Sequence, residues 1–363
     1  MKTLSYALPM TLAFATGCSA TLAERSPAAP TPRASVGEIT PASACLVTGP
    51  SRTIAPRARV LPGIEVASST NKLVLRVATK LGEVAEMEMD PASGATMPVS
   101  GRESSAAHAA VRDACPTHLE NARTMPGDPP FAIGTSGGKL AWSSCGGGSQ
   151  ALWDLAEPSV QDLQVVSLQQ SGGFAVAFRQ GNAVWLGRLD SEKKPAGALA
   201  KIAERTRLRS PTLAESHGSV LLGWAEQEAG SERWSLGIAN VATSGATKSS
   251  RLEMLADGAG GDSLQPTLAG LEDGRFLLAW TEGTAWAHQV RAAMLDANGA
   301  PVGASVPVSS SVEAGWARVA VTPDGRGAVL FMTPKDDGFA VVATPIACAT
   351  KAREESGVAA LGH

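Results

Sequence analysis

The stretch Pro211-Thr212-Leu213-Ala214, with Leu221-Leu222-Gly223-Trp224 after it, returns 55 to 56 residues later as Pro266-Thr267-Leu268-Ala269 and Leu277-Leu278-Ala279-Trp280. An echo with this period marks a chain of repeated supersecondary units, none able to bury its apolar face alone. Working outward, further short apolar runs open at Phe131-Ala132-Ile133, Leu163 to Val166 and Arg318 to Val321. Each is followed by a glycine-bearing turn: Ser136-Gly137-Gly138, Ser171-Gly172-Gly173, His217-Gly218, Asp273-Gly274 and Asp324-Gly325. Glycine supplies the positive φ of tight hairpins, so these pairs predict antiparallel strands on either side. The next run is the most apolar of each unit: Leu140-Ala141-Trp142, Phe174 to Phe178, Val220 to Trp224, Phe276 to Trp280 and Ala328 to Met332. Continuous apolar runs of this length suit a strand covered on both faces. A third strand carries Trp185, Trp234 or Trp286, and a fourth, such as Val302 to Val308, ends the unit.

Four-stranded antiparallel units of this size resemble the blades of a β-propeller. The clear resemblance covers residues 128–349, and residues 70–100 hold a fainter copy. The expected fold is therefore all-β, a propeller of about six blades at about 50 residues each over 45–349. Tandem β-sandwich domains are the alternative, though they favour repeats nearer about 100 residues. No named blade family is matched: Trp153-Asp154 does not recur with the period, so a WD40 signature is missing. The Ala-rich run Ser104 to Ala114 breaks the rhythm and reads as a small insertion pinned by Cys115.

The N-terminus has its own pattern. Lys2 precedes a short apolar run, Leu4 to Phe14, too short for the roughly 20 residues that span a bilayer. Ala15-Thr16-Gly17-Cys18 then resembles a bacterial lipobox, with Ala15 where Leu is commoner. The resemblance implies a signal peptide over 1–17, acylation of Cys18 and export, with the lipid as the link to a membrane. Ser19 after the cysteine implies the outer membrane, by similarity to enterobacterial sorting. Residues 18–44, rich in Ala and Pro, read as an extended tether, and 350–363 as a loose tail. With Cys18 assigned to lipid, Cys45, Cys115, Cys145 and Cys348 remain, an even set that fits two disulfides in an exported chain. Three pairings are possible; Cys45–Cys348 and Cys115–Cys145 are expected, the first because it would close the ring where the chain ends meet.

Signals for chemistry are few. A net charge of −3 with 18% charged residues gives no basic footprint for nucleic acid. Gly134-Thr135-Ser136-Gly137-Gly138 fits the letters of a nucleophile elbow, but a strand rather than a helix follows it. His108, Cys115, His118 and Cys145 match no zinc module, so no metal is expected, and no cofactor motif is present. The only tyrosine, Tyr6, lies in the signal peptide, which excludes a sialidase-type nucleophile. Trp142, Trp224 and Trp280 sit at strand ends in register with the repeat and read as fillers between blades; Trp153 and Trp316 fall outside it and are candidates for exposure.

In a propeller the loops between strands two and three share a face with those between blades, and loops on a rigid scaffold carry function. That face predicts Arg179, Glu226, Glu228, Arg233, Glu282, Lys335 and Asp336 as candidate binding residues. The expectation is a lipid-anchored envelope module that binds a protein or a polysaccharide. The alternatives are a hydrolase or lyase with a carboxylate-based site at the ring centre, and a purely structural envelope component.

Overall fold

A computed structural model describes residues 44–58, 64–68, 72–78, 84–98, 118–125, 130–144, 147–241, 247–252, 261–284, 287–310, 313–322, 324–335 and 338–348. Two strands come first, β1 (Cys45–Val47) and β2 (Arg52–Ala58), and they start no sheet of their own. Five four-stranded antiparallel sheets then follow in chain order. The first is β3 (Ile64–Ser68), β4 (Leu73–Ala78), β5 (Val84–Met89) and β6 (Thr96–Pro98); the second is β7 (Glu120–Met125), β8 (Phe131–Ser136), β9 (Lys139–Ser144) and β10 (Ser149–Asp154). The third holds β11 (Gln161–Ser167), β12 (Phe174–Gln180), β13 (Ala183–Leu189) and β14 (Ala200–Glu204). The fourth holds β15 (Arg207–Ser216), β16 (Ser219–Gln227), β17 (Ser235–Val241) and β18 (Thr247–Leu252); the fifth, β19 (Asp262–Gly270), β20 (Phe276–Gly283), β21 (Gln289–Leu295) and β22 (Pro301–Pro307). The sixth has only three strands from the C-terminal side, β23 (Gly315–Val321), β24 (Arg326–Lys335) and β25 (Gly338–Cys348), and borrows β1 and β2 as its outer edge.

Each sheet is a meander, and the first strands of successive sheets touch: β7 with β11, β11 with β15, β15 with β19, β19 with β23, and β23 with β3. The last contact returns the chain to its first blade. The molecule is a six-bladed β-propeller whose ring is closed by strands from both ends of the domain. The N-terminal edge pairs antiparallel along β25, with Cys45 opposite Cys348 and Arg52 opposite Ala343. A disulfide joins Cys45 to Cys348 across this seam. Cys115, Cys145 and the Ser104 to Ala114 insertion lie outside the described residues, as do Cys18, the tether and the tail.

The core lies between blades. Side chains alternate along each second strand, so one strand feeds two interfaces. On β16, Val220, Leu222 and Trp224 pack toward the third blade, with Ala175, Ala177 and Val184. From the same strand Leu221 and Ala225 pack the other way, onto Phe276, Leu278 and Trp280 of the fifth blade. That double duty is why these runs are continuously apolar. Trp224 lies flat on Gly237, its register partner on β17, where any β-carbon would collide with the indole. Trp224 and Trp280, each 2% exposed, are thus interblade fillers.

The second blade corrects one expectation. The apolar pattern starts this unit at Phe131 and sets Trp142 on its second strand; the structure places β7 before it, making β8 the second strand and β9 the third. The strand was hidden because Glu120-Asn121-Ala122-Arg123-Thr124-Met125 is polar and largely exposed, with no apolar run to announce it. The Gly137-Gly138 turn consequently matches Gly181-Asn182 between β12 and β13, not the first hairpins of other blades. Trp142 joins the interface of blades two and three, edge-on to Phe131 with ring centres 6.3 Å apart.

Candidate functional site

The innermost strands share a feature that no residue type announces. In five of them the pairing with the second strand slips: between Glu120 and Arg123, Gln161 and Gln164, Arg209 and Thr212, Leu264 and Thr267, and Gly315 and Arg318. Each slip contains a non-glycine residue in left-handed backbone: Asn121 (φ 52°), Asp162 (55°), Ser210 (51°), Gln265 (53°) and Trp316 (54°). That conformation costs about 1–2 kcal/mol per residue in L-amino acids. Repeated five times at one level of the ring, it is a built feature, and bulges of this kind re-aim side chains beside binding sites. The sixth innermost strand, β3 of the first blade, pairs with β4 in unbroken register from Ile64–Val77 to Ser68–Leu73.

The bulges tie neighbouring blades together. Asn121 Nδ2 donates to the Val160 carbonyl at 3.1 Å and Arg123 Nε to that of Leu163 at 3.0 Å, from blade two to blade three. The Leu268 amide donates to Thr212 Oγ1 at 3.1 Å, joining blades four and five. The Trp316 amide donates to Gln265 Oε1 at 3.0 Å, joining six to five. Asp162 instead pairs within its blade, with Arg179 Nε at 3.3 Å.

Where the bulges of β19 and β23 meet, the surface opens into a cavity of about 350 Å³. Trp316 and Phe339 form its aromatic wall, ring centres 5.3 Å apart and 82° between planes. Gln265, Thr281, His288 and Glu313 supply its polar groups. Thr281 Oγ1 lies 3.3 Å from Gln265 Oε1, so that oxygen receives both Thr281 and the Trp316 amide, and the Gln265 NH2 has no protein partner among the described residues. The side chains of His288 and Glu313 likewise make no hydrogen bond among the described residues. An apolar wall with a few convergent, uncommitted polar groups is the usual constitution of a small-ligand site.

The cavity opens at the end of the ring where strand two passes to strand three, the side on which the sequence placed its binding residues. Their positions differ in kind. Glu228 and Arg233 are exposed in the connection between β16 and β17, and Lys335 is exposed at the end of β24. Asp336 lies outside the described residues. Arg179 is not in a long loop: it belongs to β12, before the tight Gly181-Asn182 turn, and is spent on Asp162. Glu226 and Glu282 are corrected outright, because each is 2% exposed inside a strand. Trp224 Nε1 donates to Glu226 Oε2 at 2.8 Å and Trp280 Nε1 to Glu282 Oε2 at 3.1 Å. Arg205 Nε stands 3.3 Å from Glu226 Oε2 and Arg291 Nε 3.4 Å from Glu282 Oε2. The echo therefore extends two residues past its tryptophan, to a Trp-x-Glu unit in which a buried carboxylate satisfies an indole and is neutralised by an arginine.

Trp153, an expected exposed tryptophan, is half-buried, covering Gly187 and donating to the Gly197 carbonyl at 3.0 Å. Trp316 keeps part of its ring open and lines the cavity. Gln265, His288, Glu313 and Phe339 were not singled out from sequence; the available signal was the position of Gln265 just before the Pro266 of the echo. Among the described residues no group of three or more His, Cys, Asp or Glu side chains could hold a metal ion.

The fold and site define a β-propeller with a ligand-sized cavity between its last two blades. No protein-family model matches the chain, and no curated protein matches it. Among solved structures it is similar to a protein of unknown function from Dyadobacter fermentans, at 12% identity and a TM-score of 0.46 over 82% of this chain and 99% of that one. It is also similar to an α-L-arabinanase of Penicillium chrysogenum complexed with arabinobiose (11%, TM-score 0.46, 81% and 97% covered). A third is the ulvan lyase of polysaccharide lyase family PL25 (12%, TM-score 0.44, 80% and 81% covered).

Proposed function

We propose that this chain is an exported, lipid-anchored propeller of the cell envelope that binds a polysaccharide, with the cavity between blades five and six as a sugar subsite. The observation that carries this reading is Trp316, an aromatic ring left partly open beside the uncommitted Gln265 amide, His288 and Glu313. A sugar ring offers a C–H face that packs on an indole and hydroxyls that need donors and acceptors around its rim. A protein partner is less well served. The large exposed apolar side chains among the described residues are Leu46, Val47 and Met97, on the outer edge strands β1 and β6.

Hydrolysis would ask for two carboxylates flanking one bond. Glu313 is the cavity's own carboxylate, while Glu282 is buried and held by Trp280 and Arg291. Binding without turnover is therefore the expected behaviour. The test is calorimetric titration with a panel of neutral and acidic polysaccharides, beside an assay for new reducing or unsaturated ends. At least one polymer should bind, and Trp316→Ala should weaken it about tenfold or more, or about 1.4 kcal/mol. Equal binding by Trp316→Ala would remove the cavity from the site, and new chain ends lost in Glu313→Gln would favour the hydrolase or lyase. The address rests on the lipobox resemblance: Cys18→Ser should abolish lipid labelling and membrane retention, and survival of both would refute the anchor.

A further inference from the structure

The bulge level of the ring carries charges of both signs, Glu120 and Asp162 as well as two arginines. Two residues beyond the left-handed position, β7 has Arg123 and β23 has Arg318. Each makes one described hydrogen bond, and to a carbonyl: Arg123 Nε to Leu163 at 3.0 Å, and Arg318 Nη1 to Ala317 at 2.8 Å. Among the described residues no carboxylate stands within ion-pair distance of either. Asp162 is the acid whose charge reaches Arg318, and it is engaged by Arg179 at 3.3 Å. The corresponding positions of the other bulged strands hold Gln164, Thr212 and Thr267, neutral groups with donors to offer.

Arg318 is also enclosed. Part of its surface stays open, while protein groups crowd the guanidinium. Burial pushes it below its ordinary value, the charge of Arg123 acts in the same direction, and Asp162 opposes them. Arginine remains protonated regardless, so the two cations face each other's field with only Asp162 to offset it. A guanidinium keeps five N–H donors in a planar fork that matches an oxyanion, and each of these spends one on a carbonyl. Arg123 is exposed and Arg318 half-buried, so an oxyanion arriving from solvent would meet uncommitted N–H donors of both.

We infer that Arg123 and Arg318 form an anion subsite at the centre of the ring, which takes the carboxylate or sulfate of an acidic polysaccharide whose sugar packs on Trp316. This rests on the polysaccharide reading for the rest of the ligand, while the anion itself rests on the arginines. Trp316 and Arg318 lie two residues apart on β23, so one strand presents both the ring for the sugar and the charge for its acid.

The full chain, Arg123→Gln, Arg318→Gln, Arg318→Lys and Trp316→Ala are titrated with oligogalacturonate, its methyl ester, chondroitin sulfate, a neutral arabinan and inorganic sulfate. Thermal midpoints identify any variant that fails to fold, and Arg318→Lys keeps the charge while losing the fork. At least one acidic glycan should bind, its neutralised counterpart about tenfold more weakly, and each Arg→Gln variant should lose about tenfold, with a loss that shrinks as salt rises. Arg318→Lys should fall between. Glycan binding that ignores charge and both arginines overturns the anion subsite and leaves the polysaccharide reading standing. Arginine-dependent binding of inorganic sulfate with no glycan bound overturns the polysaccharide reading and keeps the anion site. Binding of none of the probes overturns both.

Discussion

Removing the Cys45–Cys348 disulfide should lower stability more than any surface change, because of what it closes. The two cysteines are 303 residues apart in sequence and lie directly opposite on β1 and β25. In the chain-entropy account a closed loop of this length restricts the unfolded chain by about 5–6 kcal/mol at room temperature. The β1 pairing beside it adds little, since β1 has three residues and two are exposed, and β2 supplies the rest of the seam. Residual structure in the unfolded chain brings the expected loss to about 3–5 kcal/mol. With an unfolding entropy of about 2 cal/mol/K per residue over roughly 300 residues, that is about 5–8 °C in the thermal midpoint. The assay is calorimetry of Cys45→Ala/Cys348→Ala against the parent, with hydrogen exchange to locate the effect. Faster exchange should begin in 45–47 and 338–348, at the seam between the first and last described strands. A midpoint within about 2 °C of the parent would refute the reasoning that the ring depends on this closure. So would non-reducing digestion that links Cys45 to Cys115.

Other consequences are graded by the same geometry. Glu282→Gln should cost about 3 kcal/mol in denaturant unfolding, since it removes the carboxylate charge facing a buried Arg291 and leaves only hydrogen bonds such as those to Ser305; the side chain of Arg291 is only 8% exposed. Glu226→Gln should cost only about 1 kcal/mol, because its partner can turn to water; Arg205 is 41% exposed. Equal losses would contradict the assignment of the difference to the arginine. Trp224→Ala should destabilise by about 3–5 kcal/mol by opening the interface of blades three and four, read as a lower urea midpoint. Ser210→Val should cost about 1–2 kcal/mol against the left-handed backbone, whereas Ser210→Gly should be neutral or stabilising; the reverse order would show that the bulge is not held as described.

The legible part of this fold is the part that packing dictates. The second strands of blades three to six serve two interfaces each, so their sequences are continuously apolar, and Val220 to Trp224 and Phe276 to Trp280 could be read directly. The hairpin glycines were legible for a similar reason: Gly218 and Gly274, with φ of 80° and 84°, occupy turns that other residues resist. The innermost strand of blade two is different. It is largely exposed, so β7 carries Asn121, Arg123 and no apolar run, and the phase of its blade was lost with it. The bulges were illegible because their left-handed positions hold five different residues, Asn, Asp, Ser, Gln and Trp, with no glycine to mark them. Glu226 and Glu282 mislead for the opposite reason. Charged residues near a strand end suggest a solvated loop, and only their recurrence two places after Trp224 and Trp280 hinted that an indole was using them.

The proposed ligand meets the bulge-bearing end of the ring, at the last two blades. Hydrogen exchange with and without a bound acidic polysaccharide tests it most directly. Added protection is expected in 261–268, 313–318 and 338–341, around Gln265, Trp316 and Phe339, together with 120–123 around Arg123. Protection confined to the opposite end, at the hairpins of Gly218 and Gly274, would contradict it.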